Sequence, residues 1–386
     1  MRFGPRLLTQ LPDNVRLFTD ATVLHINTDP AVSAVQSVEV ANPDGSRWTV
    51  MAPNVVLCTG GIENARLLLA SNRVAPAGLG NQNDLVGRFL MDHPRGSVAS
   101  FPVADYGRLR RRFGIHNVRC PTGNQLFHQG MRLGPTVQRR EGLLNCAVWL
   151  TEMVAPDDPW SALKRVLRSR AVPRQDALAI MSNLGLFSRG LHRHLIRRQG
   201  LPRKILDLKL SCIVEQRPDP DSRVTLTKRV DRFGVPMLRI NWRVNEQEQR
   251  TVRRMAELVA AGLASAGIAR PVLDDWVRNA EDFPSEYQDV AHPMGTTRMS
   301  AHPSSGVVDA DCQVHGISGL YVAGSSVFPT AGHVNPTQMI VALAVRLANT
   351  LKQRHRIALP HAADRSCPVP AASSGQVLRD VVPAIP

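Results

Sequence analysis

Aromatic residues make up only 5% of the 386-residue chain, and no window approaches the roughly 18 consecutive apolar residues that a membrane-spanning helix needs. The opening stretch from Met1 to Leu11 carries Arg2 and Arg6 but lacks the apolar run of a secretory leader. A cytoplasmic, soluble chain is the resulting expectation. The six cysteines, at 58, 120, 146, 212, 312 and 367, include no C-x-x-C pair, so neither a zinc site nor a tight disulfide framework is suggested, and reduced, mostly buried thiols are expected. Lysine is scarce too: of 47 basic residues only five are Lys, against 32 acidic residues and a net charge of +15. Such an arginine excess suits bidentate recognition of phosphate or carboxylate, but a GC-rich coding sequence produces it equally well, and the second reading is favoured. With few aromatics and no recognisable nucleic-acid motif, a nucleic-acid partner is not expected.

What is present argues for a globular protein. Hydrophobic residues are 43% and charged residues 20%, which excludes a disordered, collagenous or coiled-coil chain. The length suits about two or three domains. Residues 14–27 and 35–50 read as strand and hairpin, the latter around an Asn-Pro-Asp-Gly turn. Residues 54–59 form a short apolar run that ends at Gly60-Gly61, and residues 62–71 carry apolar side chains at helical spacing. A strand feeding a helix through glycines presents backbone N–H groups and a positive helix end to an anion; a plain tight turn is the alternative. From residue 95 onward the chain turns Pro- and Arg-rich. Strand-like pieces lie at 143–150, 208–214, 223–227 and 237–242, and a helix is expected over 245–266, together a mixed domain around an antiparallel sheet. Residues 160–200 interleave apolar residues with Arg165, Arg168, Arg174 and others, and a solvated helix face is favoured over a basic docking surface. The strand–glycine–helix pattern returns with a strand at 319–323 and a helix over about 336–351. No internal repeat is found.

Two segments carry chemistry: His292-Pro293-Met294-Gly295-Thr296-Thr297-Arg298-Met299, and the run from Gly324 to Thr337 that leads into the last helix. At these residues the chain resembles the glucose-methanol-choline (GMC) family of flavin-dependent oxidoreductases, which carry an H-x-x-G-T-x-x-M motif and a second His or Asn about forty residues later. Further agreement comes from residues 55–72 (VVLCTGGIENARLLLASN), 86–94 (VGRFLMDHP) and 220–226 (PDSRVTL), so the likeness runs in order over most of the chain.

The resemblance implies FAD-dependent oxidation of an alcohol or sugar hydroxyl. A general base must take the hydroxyl proton while a hydride leaves the carbon, and histidine suits that task. By family position His292 is the base and Asn335 its hydrogen-bonding partner. His333 falls outside the second catalytic position, and His93 is expected to fix a loop beside the flavin. The implied cofactor contacts are Val23 at the adenine end, Thr59, Gly60 and Gly61 near the dinucleotide, Gly324 and Ser325 beneath the diphosphate, and Asn335, Pro336 and Thr337 beside the isoalloxazine. Many relatives have Asp or Asn where this chain has Gly324. No metal is implied.

One family feature has no counterpart: the strand, G-x-G-x-x-G turn and helix that grip the FAD pyrophosphate. The expected fold is therefore α/β plus α+β, an incomplete Rossmann-like FAD-binding domain with a substrate domain built on an antiparallel sheet flanked by helices. The expected divisions are residues 1–94 and 301–354 for the FAD-binding part, 95–300 for the substrate part, and 355–386 as a flexible tail. The reading implies a small alcohol or sugar substrate, an electron acceptor such as oxygen, a quinone or a cytochrome, and a separately encoded N-terminal FAD segment. The alternative is a non-catalytic remnant or partner subunit that binds through its Arg-rich surface.

Overall fold

The computed structural model describes Gly4 and residues 10–120, 123–169, 172–195 and 203–358; most of the expected tail lies outside these residues, as do 196–200 of the Arg-rich run. The chain divides into two compact units. The first gathers Met1–Asp92, Gln216–Arg243 and Ala291–Thr350; the second gathers His93–Glu215, Val244–Val290 and the segment from Leu351. The divisions at 92 and 290 lie near the expected ones at 94 and 300. The segment Gln216–Arg243, placed by sequence in the middle domain, packs instead with the first unit.

In the first unit, Thr22–Thr28, Val35–Ala41 and Arg47–Met51 form an antiparallel three-stranded sheet. Its second hairpin turns through residues 42–46, where the Asn42 N–H donates to the Ser46 carbonyl at 3.0 Å. Strand structure begins at Thr22; before it Asp20 takes a left-handed φ of 54°, which ends extended pairing, and Phe18 packs on Trp48 with ring centroids 5.3 Å apart. The strand Val55–Leu57 pairs in parallel with Leu320–Val322. Each of these two strands leads through glycine to a helix, Gly60–Ala70 after the first and Thr337–Ala358 after the second. This repeated strand–turn–helix is the Rossmann-like portion. A hairpin of Arg223–Val230 and Pro236–Asn241 is anchored to the Gly60–Ala70 helix by the Arg66–Asp231 ion pair at 2.6 Å.

The second unit is built on a five-stranded antiparallel sheet in the order Val272–Leu273, Arg95–Ser100, Ile205–Val214, Cys146–Val154, Gly130–Arg132. Alternation sends Leu208, Leu210 and Cys212 to one face, where they join Val148 and Leu150 against Val252, Met255 and Val259 of the helix Glu246–Ser265. That helix begins at a capping box: Asn245 is the N-cap, and its N–H donates to Glu248 Oε2 at 2.8 Å. The opposite face of the sheet carries Ser97, Thr151, Lys209 and Ser211. Within the Arg-rich run, Arg165 is held 2.6 Å from the buried Asp176 carboxylate. Cys146, Cys212 and Cys312 are buried as expected, whereas Cys58 is exposed. Among the described residues no helix is long and apolar enough to cross a membrane.

Candidate active site

The His292–Met299 segment threads between two parts of the first unit. On one side it pairs with Met91: Met91 N–H donates to Met294 O at 3.0 Å, and Met294 N–H returns a bond to Met91 O at 2.8 Å. On the other it runs beside Ser325–Val327, with Gly295, Thr297 and Met299 N–H groups donating to the carbonyls of Ser325, Ser326 and Val327 at 3.2, 2.9 and 2.8 Å. A segment without regular secondary structure is thereby fixed by backbone bonds along both edges. His292 itself is half-buried, and its N–H donates to Asp92 Oδ2 at 2.8 Å. Asp92 is held in turn: its N–H donates to Gln216 Oε1 at 2.9 Å, and Trp242 Nε1 donates to the same oxygen at 2.7 Å.

Beside the histidine, Pro293 O accepts from Ser325 Oγ at 2.7 Å and faces the start of the Gly60–Ala70 helix. A Cβ on Gly61 would lie 2.0 Å from that carbonyl oxygen, so only glycine allows the two segments to approach. Thr296 Oγ1 also donates to Gly61 O. The glycine pair expected at an anion site thus has a second task, admitting the histidine segment to the helix end.

Asn64, fully buried in the first turns of that helix, joins both strand–turn–helix units. Its Oδ1 accepts from Thr59 N at 2.9 Å and from Thr59 Oγ1 at 2.7 Å, while its Nδ2 donates to Ala323 O at 3.1 Å and to Ser326 Oγ at 2.9 Å. All four hydrogen-bonding positions of the amide are used. Thr297 Oγ1 completes the cluster with a 2.8 Å bond to Ser326 Oγ. Arg298 sits with its guanidinium 4.4 Å over the Phe89 ring, and burial pushes its pKa below the usual arginine value.

The sequence-predicted residues therefore fall into two groups. Thr59, Gly61, Ser325 and the His292 segment are gathered at one place by the bonds above, and Gly60 and Gly324 adjoin them in the chain. Asn335, Pro336 and Thr337 lie at the start of the Thr337–Ala358 helix, with Asn335 exposed, and Val23 lies in the first strand opposite Val40, 38% exposed. Among the described residues no hydrogen bond ties these four to the cluster. His93 is fully buried and His333 half-buried. Asp92, Asn64, Ser326, Thr296 and Thr297 carry much of the geometry and were given no role from sequence, although each lies inside a motif that carries the resemblance.

The exposed groups of this cluster fit a dinucleotide. Thr59 and Gly60 are open to solvent at the positive end of an 11-residue helix, and a Cβ on Gly60 would meet nothing within 4 Å. Gly324 has a φ of 113°, a conformation that residues with a Cβ rarely adopt.

Comparison with known proteins shows what the chain is similar to. The family model for GMC oxidoreductase matches residues 218–344. The chain is 26% identical over 344 residues to the fructose dehydrogenase large subunit of Gluconobacter japonicus, covering 88% of this chain and 55% of that protein. It is 30% identical over 363 residues to the 6'''-hydroxyparomomycin C oxidase of Streptomyces lividus, covering 92% and 54%. Among solved structures, the formate oxidase of Aspergillus oryzae, studied for its FAD modification, matches with a TM-score of 0.53 at 19% identity over 90% of this chain and 63% of that one, which bears on the fold alone. The chain spans about half the length of the curated relatives it matches. With family model, ordered motifs and fold in agreement, the chain carries a GMC oxidoreductase domain over residues 218–344.

Proposed function

We propose that this chain supplies the catalytic end of an FAD-dependent oxidation of an alcohol or sugar hydroxyl. The supporting observation is the fixing of the histidine segment: Asp92 holds the His292 N–H, Ser325 holds the Pro293 carbonyl, and the Gly61 backbone admits both. A general base is effective only when it is held within hydrogen-bond reach of its proton, and two anchored neighbouring residues restrict the imidazole to a narrow range of positions.

FAD, when bound, supplies the acceptor for the hydride. His292 takes the hydroxyl proton at an imidazole nitrogen. Asn335 orients the substrate oxygen through its side-chain amide without competing for the proton. Gly60 and Gly61 would hold the dinucleotide through backbone N–H groups at the helix start, beside Thr59, whose own N–H is taken by Asn64, with Gly324 and Ser325 following the second strand, Val23 toward the adenine, and Pro336 and Thr337 beside the flavin ring. No G-x-G-x-x-G turn occurs among these 386 residues, so the residues named here account for only part of a dinucleotide's contacts. The test is anaerobic mixing of the flavin-loaded protein with polyols and simple alcohols: bleaching of the flavin with matching formation of a carbonyl product supports the reading, and a flavin that stays oxidised with every alcohol opposes it.

A further inference from the structure

The chain passes between the two units at 92–93, 215–216, 243–244 and 290–291, before a last passage within the final helix. The first-unit residues at these four passages are Asp92, Gln216, Arg243 and Ala291. One buried side chain gathers them: Gln216 bonds Asp92 and Arg243 directly, and Asp92 bonds His292, the residue after Ala291. The Gln216 amide is used at both ends. Its Oε1 accepts from Asp92 N–H at 2.9 Å and from Trp242 Nε1 at 2.7 Å, and its Nε2 donates to the Arg243 carbonyl. Two donors around the oxygen and a carbonyl at the nitrogen fix which way round the amide lies. Leu at this position could bond neither side, and an ionised Glu could accept but not donate.

Backbone groups alternate along residues 90–92. Met91 bonds Met294 on one edge, while Leu90 N–H donates to Ser222 O at 2.7 Å and Asp92 N–H to Gln216 on the other. Ser222 repeats the clasp, donating from Oγ to Leu90 O at 2.7 Å and accepting from Arg243 N at 3.1 Å. The Asp92 carboxylate that holds the His292 N–H therefore stands on a backbone whose place is set by Gln216. Without the Gln216 oxygen two donors are left without their partner, and Asp92 must shift to pair its N–H again. A carboxylate that shifts takes the His292 N–H with it, and a misplacement of about 1 Å at a reacting group is enough to cost about a hundredfold in rate. We propose that Gln216 is a positioning residue, which through Asp92 sets where His292 stands. The inference rests on the function proposed above only in taking His292 as the base; the anchoring itself is read without flavin or substrate.

The test is hydrogen–deuterium exchange, resolved to single amides, on the full 386-residue chain and its variants. Gln216→Leu loses the bonds at both ends of the amide and should speed exchange of the His292 amide about tenfold or more. The Thr297 and Met299 amides, which donate to the carbonyls of Ser326 and Val327, should keep their parent rates. Trp242→Phe is the control, because it removes one donor and leaves the Gln216–Asp92 bond in place: it should hold the His292 amide within about threefold of the parent, whatever it costs in melting temperature. Gln216→Glu, which keeps the length and the acceptor oxygen, should fall between the parent and Gln216→Leu, and it stands in for the latter if far-UV circular dichroism shows that the Leu variant does not fold. In the FAD-loaded protein, Gln216→Leu should lower the limiting rate of flavin reduction about tenfold or more, with the half-saturating substrate concentration within about twofold of the parent. A His292 amide that exchanges at the parent rate in the folded Gln216 variants, or faster exchange spread evenly over 292–299 in step with the melting temperature, would overturn the inference. Faster exchange confined to His292 with an unchanged rate of flavin reduction would uphold the anchoring and count instead against His292 as the base.

Discussion

At the residue scale, the site depends on a few contacts that tolerate no substitute. Gly61 is the sharpest case, because the added methyl of Gly61→Ala meets backbone rather than a yielding side chain. We expect that substitution to cost about 1–3 kcal/mol of stability, seen as a lower urea midpoint with an unchanged m-value. Asn64→Ala removes four hydrogen bonds at once and leaves Thr59 N–H, Ala323 O and two hydroxyls to find other partners. A destabilisation of about 1–3 kcal/mol follows for each group left buried and unpaired, so the loss should exceed that of Gly61→Ala; a melting temperature within one degree of the parent would contradict the role given to Asn64. The histidine and both glycines were legible in the sequence, because a motif or a local pattern names them. The tasks of Asn64, Thr296 and Ser326 were not, since their partners lie about 30 to 260 residues away and a motif names a position without naming what it bonds.

At the element scale, the helix expected from Asn245, the hairpin turn at residues 42–46 and the two glycine-led helices were readable because each is decided by a few adjacent residues. Other features depend on the fold. Gln216–Arg243 reads as two strands in either unit, and only packing such as Arg66 against Asp231 assigns it to the first. The helix Pro135–Glu141 is tied to Glu246–Ser265 through Glu141 and Arg254, 2.7 Å apart. Hydrogen bonds from Arg254 and then Arg140 hold the Glu141 carboxyl at about 2, well below its ordinary 4.5. A lowered carboxylate pKa contributes stability that is full above 4.5 and lost as pH falls through about 2. Glu141→Gln should therefore differ in melting temperature from the parent at pH 7, and the difference should shrink progressively between pH 4.5 and 2; high salt should shrink it too, since the pair is partly exposed. A difference that persists undiminished at pH 2 would mean that the pair carries none of it.

At the scale of the whole molecule, the first unit leaves apolar surface in water. Val334, Met339, Val341 and Val345, at or near the last helix, are 65%, 55%, 40% and 56% exposed, a grouping that soluble chains usually cover. We expect the isolated chain to self-associate at micromolar concentration and to bind an apolar dye, and Met339→Lys with Val345→Lys to reduce both; a monodisperse parent by light scattering would contradict this. The balance of charge explains less: the excess of arginine is partly spent in ion pairs such as Arg66–Asp231, Arg165–Asp176 and Arg254–Glu141. What supports the proposed function is the convergence of sequence-distant segments on the His292 segment. The most direct test is the single-turnover rate at which an alcohol substrate reduces the flavin in the FAD-loaded protein, compared between the parent and His292→Ala with FAD content matched. A general base should be worth about 10²- to 10⁴-fold, so a loss of that size is the expected result, and an unchanged rate would remove His292 from the role of base.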